Sequence, residues 1–459
     1  MPVGLKSLLL SGYNAHVTVA ELGRLVNLEH VFLLSEEAAD IEIIGTLPRL
    51  KYLTLEIQYD SDASIEWIEG LSRLHELFLS NMTVKQNMRL PVGNLEKVSL
   101  SDCQVPSLSF LMEVAPRLSS FSWMNSTLSD AAPEYQTNHF LHSLTKIEIL
   151  LVSSRNFISS LDPLASLTTM KVLDLRDFTF HDLSPLAELV LLDELTIHAP
   201  NADWSPIVQC KKLRMINQSS CFDIVNDTSA RALQQLPLLR AVEGSFYLSP
   251  EQPLHQITSL AIAGTDRKEN AFEPGCCFSV ENLTIWGGEF DVQSIAESFP
   301  LLKMLYYSSY GGGPDFGPLA RLTQLERLSL TSFTHFDDDL RCLLELVNLE
   351  SLYISSTTIS DLSVMRNLKQ LRYLELSGRS IEDISTLAEL KKLLMLSIMG
   401  TRVQDISCLY GHPQLRKLVL PKCAVCRPLM TADGVALPNI ALFEHRDCTD
   451  CSHVQTQLP

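Results

Sequence analysis

The chain is 459 residues long, 46% hydrophobic and 20% charged, an ordinary balance for a folded soluble protein. It contains no run of about eighteen apolar residues, which excludes a membrane-spanning helix on the sequence. A formal net charge of −18 argues against nucleic acid or an anionic membrane as the main partner, since a phosphate backbone rewards a basic surface, and it fits a partner with a basic patch.

The opening stretch MPVGLKSLLLSGYNAH has one lysine and a very short apolar run, without the apolar core and cleavage site of a secretory leader. A cytoplasmic protein is therefore expected, with export by another route left open. Eleven cysteines, an odd and mostly scattered set, predict free thiols in a reducing compartment rather than a disulfide framework. Asn-X-Ser/Thr triplets at Asn81, Asn125, Asn217, Asn226 and Asn282 are accordingly read as chance.

From Leu8 onward a unit L-x-x-L-x-x-L-x-L recurs. Taking the first residue of the closing L-x-L pair as a marker, it falls at 8, 31, 53, 77, 98, 121, 150, 173, 195, 216, 242, 260, 283, 305, 328, 352, 374, 396, 418 and 443. The mean step is about 23, which predicts a single array of about twenty coils over residues 1–459. Alternate residues of a strand share a face, so L-x-L points two side chains inward, and the preceding L-x-x-L brings a return segment over them. One coil cannot bury these leucines alone; neighbours must stack and their strands pair in parallel.

Along the chain, the 29-residue step between Phe121 and Leu150 contains SDAAPEYQTNHF, read as an extra loop. Steps of 26 and 18 around Val242 predict a distorted coil near YLSPEQPLHQ, while TDRKENAFEPGCC and YYSSYGGGPDFGP are read as irregular convex or edge segments. Asp337 to Asp339 precede a helical turn and suit its positive end; a calcium loop would need alternating acidic residues and a glycine. The cleanest coils follow. Ile359, Ile381 and Val403 stand 22 apart, as do Asp361, Asp383 and Asp405, and Leu374, Leu396 and Leu418. Each aspartate opens a return segment, where a carboxylate can cap free N–H groups.

On residues 161–197 and 359–420 the sequence resembles the leucine-rich repeat proteins, in particular the 22-residue subclass of the phosphatase-regulator and internalin type. The resemblance spans essentially the whole chain. It implies an α/β fold: a curved horseshoe solenoid with a parallel β-sheet on the concave face and short helical or irregular segments on the convex face. The family often places Asn five residues past the marker, where this chain has Cys103, Ser126, Cys221, Thr357, Thr401 and Cys423, so a mixed ladder is expected.

Residues one before, one after and three after each marker should line the concave sheet. In the second half these include Trp286, Tyr306, Arg327, Tyr353 and Tyr373, with Met304, Ser308, Ser329, Ser355, Glu375 and Met395; the first half offers Phe32, Tyr52, Glu56 and Phe78. Aromatic residues and Arg are enriched at binding hot spots. The bland reading of the same residues is cross-strand packing of aromatics with no ligand at all.

Residues 419–459 are read as a C-terminal capping segment with two C-x-x-C pairs, Cys423 with Cys426 and Cys448 with Cys451. Four thiolates at such spacing suffice for a closed structural zinc site, with His445 and His453 as spare ligands. Cys423 and Cys448 each lie five past a marker, so they are also readable as ladder residues, and a disulfide is a third reading. His445–Asp447 echoes a kinase catalytic loop and Cys448–Asp450 a bacterial ubiquitin-ligase motif, but the partner motifs of the first and the separate helical domain of the second are missing. The expectation is a monomeric, non-catalytic scaffold that needs no cofactor and binds a protein on its concave face. The alternatives are a regulatory subunit of an enzyme such as a protein phosphatase, and a secreted adhesion or effector protein of internalin type.

Overall fold

The inward residues of a coil are spaced by three and then by two, and the backbone follows that spacing. Along Leu161, Leu164, Leu167 and Met170, the N–H of each of the last three donates to the carbonyl of the inward residue before it, at 2.9 to 3.0 Å. A 3-10 helix has three residues per turn, so side chains three apart share one side and all four are buried. The chain then extends, and Leu173 and Leu175 enter the same core from a strand. Ser-Pro or Asp-Pro opens the 3-10 turns Asp162–Ser166, Ser184–Glu188 and Ser205–Gln209, where proline fixes φ and gives up an N–H that has no partner at a helix start. Each fully buried leucine contributes about 1.5–3 kcal/mol.

The structure is a computed structural model that describes residues 4–11, 23–35, 41–57, 65–85, 88–129, 133–154, 157–199, 202–218, 227–244, 253–263, 276–288, 290–309, 311, 313–333, 340–355, 359–420, 430–431, 434–435 and 442–445. The chain divides into two compact units, residues 1–220 with 231–239, and residues 221–230 with 240–459.

In the first unit, strands from Ser7–Ser11 to Met215–Gln218 pair in parallel in chain order. Every marker meets the next: Leu8 pairs with Val31, Val31 with Leu53, and so on to Leu195 with Ile216. The second unit runs likewise from Ala241–Gly244 to Leu442–His445, with Val242 opposite Leu260 and Leu418 opposite Phe443. The repeat register read from the sequence is thus the hydrogen-bond register within each unit. Burial alternates along the strands, with markers inside and their neighbours partly exposed.

The segment expected to be an extra loop is instead largely an α-helix, Pro133–Ser143. Its last turn carries Phe140 and Leu141 into the core, with Phe140 edge-on to Phe121 at 4.9 Å. Seven residues more than a usual step leave room for three helical turns in place of one 3-10 turn. Strands end at a position four past the marker, where Asn81, Asp102, Asn125 and Ser332 hold φ between 50° and 64° and Gly287 and Gly400 stand near 70°. That left-handed region suits Gly and the short polar Asn and Asp.

Of residues 419–459, the described part comprises the end of Lys417–Leu420, a two-residue antiparallel pairing of Met430–Thr431 with Gly434–Val435, and Leu442–His445, which adds one more parallel strand. Among the described residues, no helix is long and apolar enough to cross a membrane.

Candidate recognition face

The expected capping aspartates act as read. Asp361, Asp383 and Asp405 each accept a 2.8 Å bond from the N–H of the serine two residues on, and Asp182 and Asp203 do the same in the first unit at 2.8 and 2.9 Å. These bonds hold the carboxyls of Asp361, Asp405, Asp182 and Asp203 below the usual aspartate range. Asp337 to Asp339 lie outside the described residues.

The five nominated residues all belong to the second unit and fall into three rows of one sheet face. In the row before the markers, Met304, Arg327, Ser351, Tyr373 and Met395 are successive neighbours. In the row after them, Tyr306, Ser329, Tyr353 and Glu375 are neighbours. Trp286 stands in the third row, opposite Ser308. Trp286 is 38% and Tyr373 48% exposed, Arg327 is exposed, and Tyr306 and Tyr353 are half-buried. A serine stands between Tyr306 and Tyr353, and another between Arg327 and Tyr373, so large side chains alternate with small ones across the strands. Among the described residues no ring contact joins any two of the four aromatics. The expected packing of aromatics on each other is found elsewhere: His30 stacks on Tyr52 at 4.2 Å in the first unit, and Tyr307 packs edge-on to Phe333 at 5.1 Å in the core of the second.

One phenol tip has a hydroxyl neighbour: Thr331 Oγ1 lies 3.5 Å from the Tyr306 hydroxyl. Burial, with the nearby Glu375 carboxylate and Tyr306, pushes the Tyr353 phenol above its ordinary value. Burial likewise pushes up the carboxyl of Glu375, against the opposing pull of Lys417. Thr331 was not among the residues nominated from sequence, although its position three past marker Leu328 placed it on this face.

The mixed ladder five past the markers is present where it is described. The Cys103 N–H donates to Ser126 Oγ at 3.0 Å, and Ser126 Oγ donates to the Met124 carbonyl at 3.1 Å. Thr401 instead closes a local turn on the Ile398 carbonyl at 2.8 Å. Cys221, Thr357 and Cys423 lie outside the described residues. So do Cys426, Cys448 and Cys451, and with them the whole nominated zinc set; His445 ends the last described strand. Cys103 and Cys210 are buried free thiols raised by burial to about 11, which makes them inert core residues. Among the described residues no three His, Cys, Asp or Glu side chains converge as a metal site would require.

Residues 347–389 match a family model described as Leucine Rich repeats (2 copies). No curated protein matches the sequence. Among solved structures, the chain is similar to an internalin from Listeria monocytogenes (21% identity, TM-score 0.39, covering 76% of this chain and 88% of that one). It is also similar to a leucine-rich repeat protein of Leptospira interrogans (18%, 0.38, 91% and 88%). A third is the leucine-rich repeat ectodomain of a plant membrane receptor kinase from Arabidopsis thaliana, solved in complex with Casparian strip integrity factor 2 (15%, 0.37, 94% and 68%). The matched repeats at residues 347–389, and one inward L-x-L strand per coil paired in parallel through each unit, give the chain a leucine-rich repeat fold.

Proposed function

We propose that this protein is a non-catalytic recognition scaffold that binds a protein partner on the open sheet face of its second unit. The observation that carries this reading is the arrangement of Trp286, Tyr306, Arg327, Tyr353 and Tyr373 on one face, spaced by serines, with no ring contact between the aromatics. Aromatic rings that pack on one another spend their surface internally; these keep theirs for something else. The strands are hydrogen-bonded on both sides, so the face is rigid before binding and little ordering entropy is lost on association. Free, buried thiols at Cys103, Cys210, Cys276 and Cys277 fit a reducing, cytoplasmic setting.

The test is the affinity of an identified partner for Tyr306→Ala and Tyr353→Ala. Each substitution is expected to weaken binding at least tenfold while the circular dichroism and thermal midpoint stay close to those of the parent. Unchanged affinity in both removes this face from the function. A structural zinc on Cys423, Cys426, Cys448 and Cys451 is proposed on spacing alone. One zinc per chain in protein purified without chelator supports it, and metal-free protein refutes it.

A further inference from the structure

We propose that the row Tyr306–Ser329–Tyr353–Glu375 is a slot for an arginine side chain of the partner, an inference that rests on the open sheet face being the binding surface. Tyr306 and Tyr353 are separated by one strand, so their backbones stand about 9.5 Å apart at the usual strand spacing. A group entering midway lies about 5 Å from each side chain, inside the roughly 6 Å over which a ring attracts a cation. Ser329 sits between them, is the smallest side chain of the row and carries a hydroxyl on the same face.

One wall is held in advance. Thr331 Oγ1 lies 3.5 Å from the Tyr306 hydroxyl, and Ser355, two residues on from Tyr353, accepts from the Ser332 N–H at 3.3 Å. A ring already held at its tip needs less reordering to receive a ligand.

The charge of the slot selects its occupant. Glu375 is the strand neighbour of Tyr353, is half-buried, and has no ion-pair partner among the described residues. Burial keeps its carboxyl raised, a penalty that a cation beside it would remove. Lys417 acts on it only from the neighbouring row, two strands away. The net charge of −18 steers cations toward the protein and anions away. An aliphatic side chain would bury the carboxylate and hydroxyls without partners. Between the two cationic side chains, arginine fits better than lysine: its planar guanidinium stacks on rings and presents a fork of donors to a carboxylate, whereas an ammonium is a compact, strongly hydrated point charge.

The experiment uses the full chain labelled with 3-fluorotyrosine, with the fluorine resonances of Tyr306 and Tyr353 assigned from Tyr306→Phe and Tyr353→Phe. The probe is N-acetyl-arginine methylamide, with the isosteric neutral citrulline amide as control. The arginine amide should shift both resonances saturably, the citrulline amide should not, and Glu375→Gln should weaken the arginine effect roughly tenfold, the loss of one charge-assisted contact. Equal shifts from both amides, no shift from either, or an unchanged response in Glu375→Gln would overturn the slot. The two levels of inference separate cleanly. A partner that loses affinity with Tyr306→Ala but not with Glu375→Gln leaves the face standing and removes the arginine. A partner indifferent to both removes the face itself.

Discussion

His412 lies across two coils: its Nε2 donates to the carbonyl oxygen of Leu390, 22 residues earlier, at 3.0 Å. The tautomer follows from the other ring nitrogen, because the Leu415 N–H can only donate and reaches Nδ1 at 3.2 Å. Nδ1 must therefore be the acceptor, and the ring is neutral. Burial, opposed by the bond to Leu390, lowers its pKa from the ordinary histidine value. A base whose folded pKa is depressed binds fewer protons folded than unfolded between the two values, so stability rises with pH across that window. The contribution is complete above about pH 6.5 and is lost as pH falls below it. The urea midpoint of the second unit should fall between about pH 7 and pH 5. In His412→Leu the midpoint should be lower at neutral pH and that part of the slope should vanish.

The strand alternation makes a sharp prediction at three consecutive residues. Leu374 is buried while Tyr373 and Glu375 flank it on the other face. Leu374→Ala should cost about 2–5 kcal/mol, as core truncations do. Tyr373→Ala and Glu375→Ala should each cost less than about 1 kcal/mol, as surface changes do. Denaturant titration of the three variants checks the order.

The aspartates that open the return segments should be replaceable by an acceptor but not by a methyl group. Asp361→Ala and Asp405→Ala are expected to lower the thermal midpoint, and the Asn variants to retain it, because the amide oxygen still receives the serine N–H. Because both carboxyls are held below their ordinary range, their contribution is present above the usual aspartate pKa and is lost as pH falls through the lower folded value. The parent should therefore lose stability relative to its Asn variants as the pH falls into strong acid.

Gln218 occupies an inward position two past marker Ile216, where most other coils hold Leu, Ile or Val, and among the described residues its buried Oε1 has no hydrogen-bond partner. An orphaned buried acceptor costs about 1–3 kcal/mol. Gln218→Met, similar in length and without the amide, should raise the denaturation midpoint of the first unit; an unchanged or lower midpoint would show that the amide is satisfied.

The register of both units was legible in the sequence because one physical fact, which side chains must be hidden, repeats at a fixed step. Even the weaker markers Ile216, Val242 and Leu260 occupy their expected strand positions. The helix Pro133–Ser143 was not legible, since its apolar residues gather at its end and the stretch PEYQTNH shows no periodic face. The residues nominated on the sheet face were placeable one at a time from their offsets to the markers. Their grouping into rows needed strand-by-strand pairing. The contact of Thr331 with the Tyr306 hydroxyl depends on side-chain rotamers, which no repeat pattern specifies.

The most direct test of the account places a photo-crosslinking amino acid at Ser351, between Arg327 and Tyr373 on the open face, and separately at Val347 and Tyr410, exposed residues of the return segments. With an identified partner, crosslinking from Ser351 and not from Val347 or Tyr410 is the predicted result. Crosslinking from the return-segment positions with none from Ser351 would contradict recognition through the sheet.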